Sequence, residues 1–211
     1  MDFIQTHGFD GLDVDWEYPG DTERGGNYND RDNYSLLLEE LKAAFQPFGW
    51  LLSAAVPAPK SRIDSGYDVK RISQVLDFIN VMTYDLHGSW DGFADHHSPL
   101  FKRQHDYYPF NTLTVDYSMQ YWHQKGAPKD KLIMGVPFYG RSFVLQSPDN
   151  FKPGQSAKSK GNVSHFIFIS RASWVDFCAF YIHFRFCSDA TKRPKLFEFS
   201  RAFINSDICK F

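Results

Sequence analysis

In the stretch FDGLDVDWEYPG, residues 9–20, four carboxylates fall within eight residues: Asp10, Asp13, Asp15 and Glu17. Leu12, Val14 and Trp16 alternate with the last three. Side chains along a strand alternate faces with period two, so Asp13, Asp15 and Glu17 share a face with Gly11, and the apolar residues share the other. Neighbouring acids on that face stand roughly 6.5–7 Å apart along the strand, and their side chains can lean together and share protons. Crowding of carboxylates in a partly desolvated interior favours protonation of one of them. Glu17, last in the row, is the expected general acid. Asp13 and Asp15 behind it can hold charge, pass a proton and orient a substrate group. Acid catalysis on a neutral substrate is the chemistry this supports, with glycoside hydrolysis the leading case. Three acids on one face also suit a hydrated Ca²⁺ or Mg²⁺ ion, which leaves a divalent-metal hydrolase as an alternative.

Such a row needs a scaffold that repeats. Short apolar runs recur at 11–16 (GLDVDW), 51–58 (LLSAAVPA), 78–85 (FINVMTYD) and 132–140 (LIMGVPFYG). Between them, 32–45 carries Tyr34, Leu37, Leu38, Leu41 and Phe45 on one stripe at helical spacing, with Asp32 or Asn33 as N-cap. Residues 68–78 repeat the pattern with Val69, Ile72, Val75 and Leu76, and 114–128 reads as a third helix stopped by Gly126 and Pro128. Strand–helix alternation implies parallel strands joined by crossover helices. The motif-like residues Glu17, Pro57, Tyr84, Asp85 and Tyr139 fall at strand ends, as a (β/α)8 barrel requires of its site. A doubly wound sheet would carry a glycine-rich phosphate turn, and none is present.

Composition narrows the partners. The chain has 211 residues with 43% hydrophobic and 23% charged, and its net charge of −2 argues against nucleic acid. An aromatic share of 18% suits a neutral polymer read by stacking. No apolar run reaches the eighteen residues of a membrane span, and the N-terminal residues lack the basic and apolar blocks of a leader. Cys178, Cys187 and Cys209 have no metal-like spacing. Trp16 and Trp122 fall on apolar faces and are read as core. His87, His96 and His97 follow the 78–85 run, and no metal or other cofactor is expected there.

DGLDVDWEYP resembles the D-x-x-D-x-D-x-E signature of glycoside hydrolase family 18, the chitinases, at Asp10, Asp13, Asp15 and Glu17. MTYDLHGSWDGFADHHSPLF (82–101) is similar to the sixth-strand motif and loop of insect-type members, and LIMGVPFYGRSF (132–143) to their seventh strand. The resemblance covers roughly residues 3–150. It implies a substrate-assisted retaining mechanism, in which Glu17 protonates the glycosidic oxygen and later activates water. The substrate's own acetamido oxygen attacks the anomeric carbon, Asp15 clamps that group, and Asp13 shares its proton. Tyr84 would bond the acetamido group, Asp85 would interact with the sugar near the acid, and Met82, Tyr18, Trp90 and Arg141 would line the cleft. The substrate implied is chitin or its oligosaccharides, met outside the cell by the parent protein. A chitinase-like lectin that binds without hydrolysis is the other reading.

Aligned by motifs, the chain supplies strands four to seven. The expected fold is therefore α/β, an incomplete (β/α)8 barrel over 1–150 with a divergent tail over 151–211, rich in phenylalanine. A half-barrel leaves two sheet edges unpaired, which leads to the expectation of a poorly stable and largely inactive polypeptide.

Overall fold

The computed structural model describes residues 1–147, 149–161 and the strand 196–198. A short helix α1 (Asp2–His7) ends at Gly8, whose φ of 63° turns the chain into β1 (Gly11–Asp15). Then come α2 (Asp30–Phe45), β2 (Leu51–Pro57), α3 (Lys60–Gly66), α4 (Val69–Val75) and β3 (Phe78–Met82). After β4 (Phe93–Ala94), α5 (Val115–Gln124) leads to β5 (Leu132–Met134). β6 (Phe143–Leu145), β7 (Gln155–Lys160) and β8 (Leu196–Glu198) follow.

The main sheet runs β5-β3-β2-β1-β8, with every pair parallel. Its four strands from the expected runs, with helices between them, form the α/β frame. The fifth strand departs from expectation: β8 pairs with β1 at Gly11, Leu12 and Asp13, so β1 is not an open edge. Among the described residues, β5 has no strand on its outer side. A second, antiparallel sheet runs β4-β7-β6. β7, which follows residue 150, pairs with β4 and β6, which precede it. No helix among the described residues is long and apolar enough to cross a membrane.

Local chemistry sets the element ends. α2 starts two residues before the expected cap; Asp30 accepts from the amides of Asn27 (2.8 Å) and Gly20 (3.3 Å), fastening the preceding loop. Asp68 caps α4 by accepting from Arg71 N–H at 3.1 Å, and Thr114 caps α5 by accepting from Tyr117 N–H at 3.2 Å. α4 and α5 are shorter than their patterns, since Phe78 belongs to β3 and Gly126 closes the turn after α5 with φ 116°. α3 was not legible in the periodicity.

The core lies between the sheet and its helices. Tyr34, Leu38, Leu52, Val56, Ile63, Tyr67, Ile72, Ile79 and Trp122 are buried there. Tyr67 meets Tyr34 and Trp122 edge-on at 5.5 and 5.6 Å, and Trp122 Nε1 donates to the Pro57 carbonyl at 2.8 Å. Trp16 packs against this cluster and is partly buried. The α2 stripe is split: Tyr34, Leu38 and Phe45 are buried, while Leu37 is 41% exposed. Leu37 and Leu41 line an apolar hollow of about 680 Å³ with Met1, Phe3, Leu12 and Ala44. Gly11 lets β1 lie close to its neighbour, since a Cβ there would meet the Leu51 backbone at 2.0 Å.

Leu38→Ala should lower the unfolding free energy by about 2–4 kcal/mol in urea titration, because Leu38 is 0% exposed. Leu37→Ala, on the hollow, should cost roughly 1 kcal/mol or less. Equal losses would contradict this split of the stripe.

Candidate active site

The parallel strands deliver their C-terminal ends to one side of the sheet, and the candidate residues gather there. On β1, register places Asp13 opposite Ser53 and Asp15 opposite Ala55 of β2. These small partners leave room for carboxylates on the inner face. Asp13, 3% exposed, accepts from the Ser53 hydroxyl and from Asn80 Nδ2 of β3 at 2.9 Å. One carboxylate thus binds three consecutive strands. Its charge and that of Asp15 reach Tyr34 on α2: burial first, then these two charges, push the Tyr34 hydroxyl pKa up.

Glu17 lies past the last residue of β1, and its side chain is 39% exposed rather than desolvated like Asp13. Arg24 Nη1 stands 3.4 Å from Glu17 Oε2 and donates to the Glu17 carbonyl at 3.3 Å. Tyr18 follows through a cis peptide bond. Burial, then the charge of Glu17 and the hydrogen bond made to it, push the Tyr18 hydroxyl pKa up, against the opposing charge of Arg24. The guanidinium groups of Arg24 and Arg62 lie 5.4 and 6.0 Å from the Tyr18 ring centre.

At the end of β3 Met82 is half-buried, and just beyond it Tyr84 meets Tyr139 edge-on at 6.2 Å. Gly135 makes room for Tyr84, since a Cβ would come within 2.8 Å of its ring. Asp85 is in the left-handed region, with φ 55°. Arg141 grips it with two nitrogens, Nε to Oδ1 at 2.8 Å and Nη2 to Oδ2 at 2.5 Å. Burial would raise the Asp85 pKa; hydrogen bonds, those of Arg141 and Tyr139 among them, with the Arg141 charge, outweigh it and hold the carboxyl well below the usual range. Trp90 lies 5.5 Å from the Arg141 guanidinium and remains largely exposed, free to meet a ligand.

The structure thus groups Glu17 with Tyr18, and Asp85 with Arg141 and Trp90, while Asp13 anchors the sheet between them. Sequence reasoning missed Ser53 and Asn80, although both are inward-facing by strand alternation, and it missed Arg24. Two of the loop histidines make side-chain hydrogen bonds. His87 bonds Asp91 at 3.0 Å, and His97 bonds the Asp85 amide at 3.1 Å. Ligand-type atoms of Asp95, His105 and Asp106 do lie within 4.8 Å of one another. Arg103 fills that role, reaching Asp95 at 2.5 and 2.8 Å and Asp106 at 2.9 Å.

A parallel α/β sheet with an acid row at the carboxyl end of a strand is the layout of a barrel-type hydrolase. The family model for glycosyl hydrolases family 18 matches residues 1–190, and the chain belongs to that family. An endochitinase of Manduca sexta is 49% identical over 152 residues, covering 71% of this chain and 27% of its own. Chitotriosidase-1 of Mus musculus is 43% identical over 168 residues, covering 76% and 36%. Among solved structures, catalytic domain 2 of the Ostrinia furnacalis group II chitinase superposes with TM-score 0.71 at 42% identity, over 76% of this chain and 42% of that one. Human YKL-39, described as a pseudo-chitinase with retained chitooligosaccharide binding, gives TM-score 0.70 at 38% identity, over 75% and 44%. The chain spans less than half the length of each.

Because the Asp85 pKa is depressed in the folded protein, its stabilisation is complete above the ordinary carboxylate pKa of about 3.9 and is lost as pH falls below it. Asparagine tolerates left-handed backbone, so Asp85→Asn isolates the charge. Urea midpoints should show this variant less stable than wild type near neutral pH, with the gap narrowing below about pH 4. A gap independent of pH would show that the Asp85 charge contributes nothing.

Proposed function

We propose that the site hydrolyses β-1,4 bonds between N-acetylglucosamine units of chitin by substrate-assisted, retaining catalysis. The observation that carries this is the acid row ending at Glu17, on the same side of the sheet as Tyr84 and the Asp85–Arg141 pair. Glu17 stands at the open end, where it can reach a glycosidic oxygen in a bound sugar. It donates the proton to the leaving oxygen, and the substrate's acetamido oxygen closes on the anomeric carbon to give an oxazolinium ion. Asp15, one residue pair nearer the sheet, holds the acetamido N–H in place for that attack and faces the developing positive charge. Asp13 fixes Asp15 from below, being itself fixed by Ser53 and Asn80. Tyr84 donates to the acetamido oxygen, Asp85 accepts from a sugar hydroxyl, and Arg141 keeps that carboxylate ionised. Tyr18 and Met82 border the cleft, and the exposed Trp90 ring offers a stacking face to a sugar. Glu17, deprotonated after the first step, takes a proton from the water that opens the ring. The parent protein acts outside the cell, where chitin is found.

Release of reducing ends from chitohexaose tests this. Turnover by the chain is expected to be slow, so the decisive quantity is the ratio to Glu17→Gln, expected to be about 100-fold or more, with oligosaccharide affinity retained in the variant. Equal rates would sink the hydrolytic reading. Binding without Glu17-dependent cleavage would favour the second reading, oligosaccharide capture without hydrolysis, which the likeness to YKL-39 supports. Dialysis against EDTA should change neither binding nor the urea midpoint; a loss of either would revive the metal-hydrolase alternative.

A further inference from the structure

His97 comes from the loop after β4 and is 8% exposed. Both of its ring nitrogens are committed: at Nδ1 the Asp85 N–H is nearer than Asp85 Oδ1, which stands at 3.4 Å, and the nearer partner of each nitrogen has a single possible role. The Asp85 backbone N–H, 3.1 Å from Nδ1, can only donate, so Nδ1 carries no proton. The Tyr139 carbonyl, 2.9 Å from Nε2, can only accept, so Nε2 carries it. The ring is therefore the neutral Nε2–H tautomer, specified from both sides. It also stacks on the Tyr139 ring, with centres 4.7 Å apart and planes 28° apart.

The backbone of the same residue adds to this. The Leu86 amide donates to the His97 carbonyl at 2.8 Å, and the neighbouring Ser98 hydroxyl donates to the Thr83 carbonyl at 2.7 Å. Two adjacent residues thus hold the segment 83–86 at the end of β3. The segment needs holding, because Asp85 is a non-glycine residue in left-handed backbone, a conformation that costs energy unless its surroundings impose it. The orientation of the Asp85 carboxylate toward Arg141 follows from that backbone.

We infer that His97 is a positioning residue: as an Nε2–H tautomer, it accepts from the Asp85 amide and donates to the Tyr139 carbonyl, thereby fixing Asp85 for the sugar. The role toward sugar rests on the function proposed above; the role toward Asp85 does not. Asparagine places an acceptor oxygen near the position of Nδ1, whereas phenylalanine keeps the ring on Tyr139 but has no acceptor. The two substitutions therefore separate the hydrogen bond from the stacking.

Nitrogen-15 spectra of the labelled 211-residue chain should show His97 Nδ1 bare and Nε2 protonated; a proton on Nδ1 would overturn the inference. Hydrogen exchange at the Asp85 amide should be nearly unchanged in His97→Asn and about tenfold faster in His97→Phe, the effect of losing one buried hydrogen bond. Equal protection in the two variants would also overturn it. Chitopentaose affinity should follow the same order, with the Asn variant rescuing what the Phe variant loses. If the wild-type chain binds no chitopentaose, the sugar reading fails, while the tautomer and the amide exchange still decide the role of His97. Should His97→Phe fail to fold, the wild-type tautomer and the Asn variant decide it.

Discussion

The fold and the site share one constraint, the burial of Asp13. A carboxylate that is almost fully enclosed must be hydrogen-bonded or it destabilises the protein. Here the partners come from β2 and β3, so the acid is tolerable only if three parallel strands are in a single register. Parallel strands have no hairpin turn to set their alignment, and the apolar face alone can be satisfied by more than one sliding. Ser53 and Asn80 supply a polar condition that a slipped register does not meet, since a one-residue shift sends both side chains to the helix face. The same pairing puts Ala55 beside Asp15, where a larger side chain would crowd the carboxylate.

Beyond the strand ends, order is imposed by loops rather than by the sheet. The turn after β3 is held by His97 and Ser98, and the Asp85 carboxylate is held by Arg141 from the segment after β5. The turn after β1 has looser restraints, an exposed arginine at 3.4 Å and a tyrosine hydroxyl. Arg103, bridging Asp95 and Asp106, secures the long loop that carries the histidines. The longest ties join segments far apart in sequence: Ser53 and Asn80 reach Asp13 across 40 and 67 positions, and Arg141 reaches Asp85 across 56.

That distance explains what could be read in advance. Alternation and helical spacing depend on neighbours within a few residues, so the four parallel strands, three of the helices and the inward row of acids were legible. So was Trp122 as core. Ser53 and Asn80 were visible only as positions on a face, because a serine or asparagine there is ordinary until a buried acid is known to sit opposite. α3 lacks a wide apolar stripe, burying Ile63 and little else. The pairing of β8 with β1 joins residues nearly two hundred positions apart, and no local pattern announces it. Arg24 and His97 act through tertiary side-chain contacts that spacing does not encode.

The unequal restraint of the two strand ends has a thermodynamic consequence. Around Asp13 and Asp85, side-chain freedom is given up when the chain folds, so a ligand arriving there meets groups already aimed. Around Glu17, the freedom survives folding and must be surrendered when a ligand binds. Association should therefore carry its entropic penalty almost entirely on the Glu17 side, leaving the other side to act as a rigid template.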